Sequence, residues 1–73
     1  MEKLDLHGTR HEAVDEKTRV FLNFVELPCQ IITGDSREMK NIVKKVVAEY
    51  GWYCRENTIY NYGTLTVLEK ETK

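Results

Sequence analysis

An aspartate and a histidine lie two residues apart near the start of the chain. In the segment "LDLHG", Leu4 and Leu6 alternate with Asp5 and His7, which predicts a short strand with one apolar and one polar face. On a shared face, His7 could transfer a proton while Asp5 orients it or holds a hard cation. Alternatively, Asp5 accepts hydrogen bonds from loop amides and His7 caps the sheet edge. The pair is therefore a candidate catalytic centre with a structural alternative.

Three basic residues in the second half of the chain have helical spacing. Arg37, Lys40 and Lys44 stand at positions i, i+3 and i+7, so they share one face of a helix. This stripe could contact the phosphates of a nucleic-acid strand. The alternative is an ordinary solvated face whose charge is balanced by Glu38 and Glu49.

A second histidine and two tyrosines complete the set of candidate residues. His11 follows His7 by four residues, but a strand-to-helix junction separates them, and Asp15 stands where a zinc-protease motif has its second histidine. We therefore interpret His11 as part of a solvated first helical turn. Tyr60 and Tyr62 could stack on unpaired bases, although loop tyrosines more often cover the core.

Size and composition restrict the class of protein. The chain has 73 residues, 41% hydrophobic and 32% charged, which predicts a single small domain over residues 1–73. No apolar run approaches the roughly 20 residues that span a bilayer, and the charged start differs from a secretory signal, so we expect a cytoplasmic protein without membrane contact. Cys29 and Cys54 lack metal-site spacing and are expected to be buried free thiols. Because the net charge is −1, binding to DNA or RNA requires a local basic patch.

The first helix is predicted from about Arg10 to Val25, after the polar end of the first strand. Thr9 with Glu12 matches a capping box at its amino terminus. The polar segment "DEKT" leaves its second turn with little core. The predicted apolar face consists of Ala13, Val14, Val20, Phe21, Phe24 and Val25.

The remaining elements follow from turn-forming residues and apolar spacing. Pro28 precedes a buried, central strand over residues 29–33. Asp35 with Glu38 is a second capping signature, and the helix that follows ends where Gly51 supplies a left-handed residue. The segments "WYCREN" and "TLTVLE" predict two strands joined as a hairpin. The order is therefore β-α-β-α-β-β, an α/β fold.

This order brings two loops together. Successive strands joined through a helix are parallel with a right-handed crossover, and ligands gather beyond their carboxyl ends. The ends in question are His7-Gly8 and Thr33-Gly34. Each leads into a helix amino terminus, whose unpaired amides and positive dipole suit phosphate.

The spacing of several motifs resembles a known family. "LDLHG" with "EA" shortly after it, "IITG" about twenty-five residues on, and a closing "GTLTVLE" resemble the Smr domain, the small MutS-related module, over residues 4–69. The resemblance implies a two-layer α/β sandwich with a mixed four-stranded sheet and two helices. It also implies nucleic-acid binding and, in many members, metal-assisted nicking or cutting of DNA or RNA, with Mg²⁺ or Mn²⁺ as the expected ion.

The family's D-x-H-G motif falls on Asp5, His7 and Gly8, so the resemblance implies that Asp5 and His7 carry any catalysis. The T-G of its T-G-x-G motif falls on Thr33 and Gly34. Ser36 replaces the second glycine of that motif and Asp35 precedes it. A carboxylate there repels phosphate, so we expect binding ahead of cleavage.

Two functions from different classes follow. The first is a stand-alone Smr-like domain that binds DNA or RNA and, if it is an enzyme, hydrolyses phosphodiesters with Mg²⁺ or Mn²⁺ at Asp5 and His7. The expected binding residues are Gly8, Arg10, Thr33, Gly34, Ser36, Arg37, Lys40 and Lys44. The second is an inactive module of the same fold that docks onto a larger protein. A monomer is expected, because no exposed heptad or large apolar stripe indicates association.

Overall fold

The structure is a computed structural model that describes residues 1–56 and 63–70. The predicted final turn at Asn61, with Tyr60 and Tyr62, lies outside the described residues. The described elements are β1 (Lys3–Asp5), α1 (His11–Phe24), β2 (Cys29–Ile32), α2 (Arg37–Glu49), β3 (Tyr53–Glu56) and β4 (Thr64–Leu68). This order confirms the predicted β-α-β-α-β-β arrangement.

The four strands form one mixed sheet in the order β1-β2-β4-β3. β1 and β2 are parallel neighbours, with Leu4 opposite Ile31, while β4 runs antiparallel to both β2 and β3. β2 is therefore an interior strand, as predicted, and β3 and β4 pair as the two arms of a hairpin. The carboxyl ends of β1 and β2 meet at one edge of the sheet.

The core lies between the sheet and the two helices, which makes a two-layer α/β sandwich. Cys29, Ile31, Leu65 and Val67 alternate along β2 and β4 and are completely buried. They form one apolar cluster with residues of both helices, namely Val14, Leu22, Met39, Val43, Val46 and Val47. The apolar residues that recur every second position in the strands thus pack against the apolar residues that recur at helical spacing in α1 and α2.

The second helix matches its prediction except at its cap. Ser36, not Asp35, is the N-cap, and its hydroxyl accepts a hydrogen bond from the Met39 amide at 3.1 Å. The two candidates are neighbours, and the helix begins one residue later than the Asp35 signature indicates. Gly51 has a φ of +78° and follows the last turn, as predicted.

The first helix differs more from its prediction. Its N-cap is Arg10, with no side-chain cap, because the Thr9 amide turns back to donate to the Leu6 carbonyl at 2.8 Å. Val20 and Phe24 are 54% and 85% exposed, so two of the six residues of the predicted apolar face point outward.

A polar residue of the first helix takes part in the core instead. Thr18 is fully buried, and its hydroxyl donates to the Val14 carbonyl at 2.7 Å. The "DEKT" segment therefore contributes to the core, because threonine can satisfy its own hydroxyl within the helix.

Both cysteines are free thiols, as predicted. Cys29 is buried and Cys54 is half-buried. Burial raises the pKa of each thiol to about 11. Among residues 1–56 and 63–70, no helix has the length and apolar character needed to cross a membrane.

Candidate nucleic-acid interface

Three chain segments meet where β1 and β2 end and β4 begins. The carbonyl of Gly63 accepts hydrogen bonds from the amides of Thr33, at 2.6 Å, and Gly34, at 3.1 Å. The Thr33 hydroxyl lies 3.2 Å from the same carbonyl oxygen and 2.9 Å from that of Gly34. A Cβ on Gly63 would lie only 2.7 Å from the Cα of Gly34. Only glycine fits there, so the segment before β4 is locked onto the turn that follows β2.

This lock changes what Thr33 and Gly34 can do. Thr33 is 2% exposed, so it lies inside the junction and not on the binding surface where it was expected. Both amides already donate to the Gly63 carbonyl, so they are not free to bind a phosphate. The T-G pair holds the turn in place and leaves ligand contacts to its neighbours.

His7 lies directly against this turn. A Cβ placed on Gly34 would approach the His7 ring carbon Cδ2 to 3.0 Å, and Gly34 has a left-handed φ of +69°. Glycine at this position therefore satisfies the backbone and leaves space for the imidazole. The predicted meeting of the His7-Gly8 and Thr33-Gly34 loops is confirmed, and the His7 side chain is exposed at their junction.

Asp5 stabilises the first of these loops. Its Oδ1 accepts a hydrogen bond from the His7 amide at 2.9 Å, which is the geometry of an Asx turn. This contact is the structural alternative considered for Asp5. The next turn contains Gly8 with a φ of +83°. Asp5 is nonetheless exposed, and its second carboxylate oxygen remains on the surface beside the loop.

His11 joins the two helix amino termini, which sequence reasoning did not anticipate. Its Nε2 lies 3.3 Å from Ser36 Oγ and its Nδ1 lies 2.9 Å from Glu38 Oε2. A neutral ring with its proton on Nδ1 would donate to Glu38 and accept from the Ser36 hydroxyl. The position of His11 in the sequence could have revealed this contact. His11 is the first residue of α1, and both helices start at the same edge of the sheet.

The basic stripe of α2 faces β3 and is partly neutralised there. Lys40 and Lys44 place their Nζ atoms 3.7 and 3.3 Å from the carboxylate oxygens of Glu56. Lys40 is only 9% exposed, which corrects its prediction as a solvent-facing phosphate contact. Lys44 donates to Glu56, and this bond with the nearby positive charges of Lys44, Lys40 and Arg37 lowers the pKa of Glu56.

The acids proposed to balance this stripe have other partners. Glu38 pairs with His11, and Glu49 pairs with Arg19 of α1. Glu56 of β3 balances Lys40 and Lys44 instead, because its carboxylate lies nearer to them than the acids of α2 do. Arg37 remains exposed at the start of the helix, beside the junction.

Two further arginines lie at different distances from the junction. Arg10 is the N-cap of α1, and its side chain is 87% exposed with one 3.8 Å contact to Glu12. Arg55 alternates with Glu56 along β3 and so lies on the sheet face away from the helices. Arg10 can therefore join Arg37 at the junction, whereas Arg55 cannot join the α2 stripe.

The junction thus collects Asp5, His7, Gly8, Arg10, His11, Gly34, Ser36 and Arg37 on one edge of the sheet. Among the described residues, no group of three or more histidine, cysteine or carboxylate side chains is arranged to hold a metal ion. Comparison of the chain with family models, with curated proteins and with solved structures finds no match.

Proposed function

We propose that the chain binds DNA or RNA through this junction, as the resemblance to the Smr domain suggests. The supporting observation is that two imidazoles flank a single short turn: His7 lies on Gly34 and His11 contacts Ser36. Polar side chains of residues 5–11 and 36–38 lie beside this turn, and Gly63, where no side chain fits, locks the turn in place. Such a rigid cluster of water-exposed polar side chains suits a charged ligand, whereas the apolar core beneath it does not.

The charges around the junction favour a phosphate group. Arg10 and Arg37 are exposed at the amino termini of α1 and α2, where each helix dipole adds partial positive charge. The amides in the first turn of a helix also have no carbonyl acceptor within the helix. Asp35 and Glu38 reduce this attraction, so we expect weak binding that depends strongly on salt.

Phosphodiester hydrolysis is the finer proposal for the same site. His7 would move a proton to or from the reacting oxygen. Asp5 orients the loop that carries His7, because its carboxylate accepts a hydrogen bond from the His7 amide. Mg²⁺ needs only one or two protein carboxylates besides phosphate oxygens, and Asp5 has one oxygen not used by the His7 amide. When bound, such an ion or Mn²⁺ would polarise the phosphate. His11, tied to Glu38, is a second group able to hold a proton nearby.

The binding proposal is tested by recording amide shifts of the labelled protein while short single-stranded and duplex oligonucleotides are added at low salt. We expect shifts clustered at residues 7–11 and 34–38. Replacing Arg37 with alanine should reduce the slope of log affinity against log salt by about 1. Lys45→Ala removes the same charge from an exposed position on α2 that faces Asp15, and should leave the slope unchanged.

The cleavage proposal needs a separate readout. His7→Asn should abolish cutting of a labelled oligonucleotide while binding persists, since asparagine keeps the size and polarity of the side chain but cannot transfer the proton. Binding without cutting by the parent in Mg²⁺ or Mn²⁺ would reject hydrolysis alone. Absence of shifts with every oligonucleotide would reject nucleic-acid binding itself.

A protein-interaction module is the second candidate, and the pairing of Lys40 and Lys44 with Glu56 favours it. A surface selected for phosphate would leave both lysines free. Glu56→Gln separates the two functions. The released lysines should increase oligonucleotide affinity and its salt dependence if the junction binds nucleic acid, and should change neither if α2 serves only protein contacts.

A further inference from the structure

A hydroxyl, an imidazole and a carboxylate contact one another in series where the two helices begin. Ser36 Oγ lies 3.3 Å from Nε2 of His11, and Nδ1 of the same ring lies 2.9 Å from Oε2 of Glu38. Enzymes that transfer acyl groups activate a serine with the same series of a nucleophile, a base and an acid that orients the base. Such a series is recognised by its geometry and not by the order of its residues in the chain.

The hydrogen bonds around Ser36 leave its proton free for His11. The Ser36 oxygen accepts a hydrogen bond from the Met39 amide at 3.1 Å, so the hydroxyl hydrogen is available to point at Nε2. An ionised Glu38 only accepts hydrogen bonds, and it therefore selects the neutral ring with its proton on Nδ1. In this tautomer Nε2 of His11 carries the lone pair that can take the proton of Ser36.

The start of α2 also stabilises negative charge. Ser36 is the N-cap, so the Met39 amide and the positive end of the helix dipole favour the oxygen that loses its proton. Arg37 and Glu38 are the first two residues of the helix, and amides at these positions have no carbonyl acceptor within the helix. They are donors for the oxyanion that forms when the hydroxyl beside them attacks a carbonyl group.

We propose that Ser36, His11 and Glu38 form an acyl-transfer site that hydrolyses small carboxylic esters. Ser36 Oγ bonds to the ester carbon while His11 takes its proton, and the alcohol then leaves with that proton. Water, the second substrate, attacks the acyl carbon and gives a proton to His11, which returns it to Ser36 as the acid departs. Ser36 and His11 are the catalytic residues, and Glu38 is a positioning residue that acts through His11.

The exposure of these side chains restricts the substrate and the rate. The side chains of His11 and Glu38 are 43% and 71% exposed, and Ser36 is half-buried. Water weakens the attraction between an imidazole and a carboxylate that are this exposed. An open site also offers little apolar surface to a long acyl chain. We therefore expect slow turnover of esters that have a short acyl group and a good leaving group.

The first test is labelling of the protein with diisopropyl fluorophosphate, followed by mass spectrometry of the intact chain and its peptides. Ser36 is the only serine of the sequence, so an adduct on serine identifies the site. The Ser36 oxygen bonds to phosphorus, fluoride leaves, and His11 takes the proton. We expect Ser36 to be labelled, and His11→Gln to slow its labelling by about 100-fold, the lower end of what a general base supplies.

A second variant separates catalysis from folding. Ser36→Asn keeps a good N-cap for α2 but has no hydroxyl that can attack an ester. It should remain as helical as the parent by circular dichroism. It should also lose the release of p-nitrophenolate from p-nitrophenyl acetate that we expect of the parent.

The role of Glu38 has its own matched control. Glu38→Ala should slow the labelling of Ser36 in the parent but cause no further loss in His11→Gln, because it acts through His11. Glu12 is the second residue of α1, as Glu38 is of α2, but its contact is with Arg10 and not with an imidazole. Glu12→Ala should therefore be labelled at the parental rate.

The proposal is overturned if Ser36 of the parent stays unlabelled, or if His11→Gln is labelled as fast as the parent. It is equally overturned if Ser36→Asn releases p-nitrophenolate at the parental rate, or if Glu12→Ala slows labelling as much as Glu38→Ala does. Ester hydrolysis goes beyond the proposed function. It can fail without affecting that function, because the amide shifts with oligonucleotides test nucleic-acid binding independently.

Discussion

The two helices begin at the same edge of the sheet with similar apolar patterns, yet they cover their apolar residues to different extents. Met39, Val43 and Val46 of α2 are buried, whereas Val20 and Phe24 of α1 are exposed. α2 packs against α1 and β3, while α1 borders the three-residue edge strand β1. An apolar pattern therefore shows how much surface a helix could bury, and the placement of the helix against its neighbours decides which part of that surface is covered.

The largest expected effect comes from two apolar residues of α1 that differ in burial. Leu22→Ala should lower the free energy of unfolding by about 2–5 kcal/mol, because Leu22 is 2% exposed and its removal leaves a cavity. Phe24→Ala should change it by no more than about 0.5 kcal/mol. Urea denaturation at low protein concentration measures both. Equal losses would show that Phe24 packs onto the domain, and the contrast between the helices would disappear.

An intermediate effect is expected at the helix amino termini. Ser36→Ala should destabilise the protein by about 0.5–2 kcal/mol, because the Met39 amide loses its acceptor. Thr9→Ala should have little effect, since Thr9 does not cap α1. Thermal denaturation of the two variants in parallel checks the difference. If Thr9→Ala lowered stability as much as Ser36→Ala does, Thr9 would cap α1 after all, as the sequence predicts.

The smallest expected effect concerns the ion pairs between α2 and β3. The lowered pKa of Glu56 means that its carboxylate stabilises the fold above the ordinary value of 4.5, and that this contribution is lost as the pH falls through the lower folded value. Glu56→Gln should therefore reduce stability at pH 7, by about 1 kcal/mol or less for a partly exposed pair.

Denaturant titrations across pH measure this difference. The gap between the parent and Glu56→Gln should close as Glu56 becomes protonated in the parent at acid pH. Asp15→Asn is a useful comparison, because a hydrogen bond from Arg19 of the same helix, α1, lowers the pKa of Asp15. A gap at Glu56 that persists unchanged in acid would mean that packing, and not charge, links β3 to α2.

Sequence reasoning predicted the fold well because its signals are local. The alternation around Leu4 and Leu6, the β-branched run before Gly34 and the left-handed Gly51 each mark an element without reference to the rest of the chain. Parallel pairing of β1 with β2 then followed from the crossover rule. The encounter of the two loops at His7 and Gly34 was predictable for the same reason.

The side on which each charged or apolar residue lies was not predictable in this way. α1 has two adjacent apolar rows, one through Val14 and Phe21 and one through Val20 and Phe24, and the rotation of the helix in the fold selects the buried row. The partner of Lys40 comes from β3, sixteen residues later in the chain. His11 meets Ser36 only because two helices start together. Each of these contacts depends on the placement of whole elements.

The position of β4 inside the sheet has a consequence for how the protein is made. β4 pairs with β2 and β3 on its two sides, and Leu65 lies opposite Ile31 although 34 positions separate them along the chain. During synthesis from the amino terminus, β2 therefore waits with one side unpaired, and β3 has no described neighbour until residues 64–68 leave the ribosome. Gly63 completes the lock at the candidate binding edge in the same step. The domain thus completes its sheet and its candidate binding edge together, once residues 63–68 are in place.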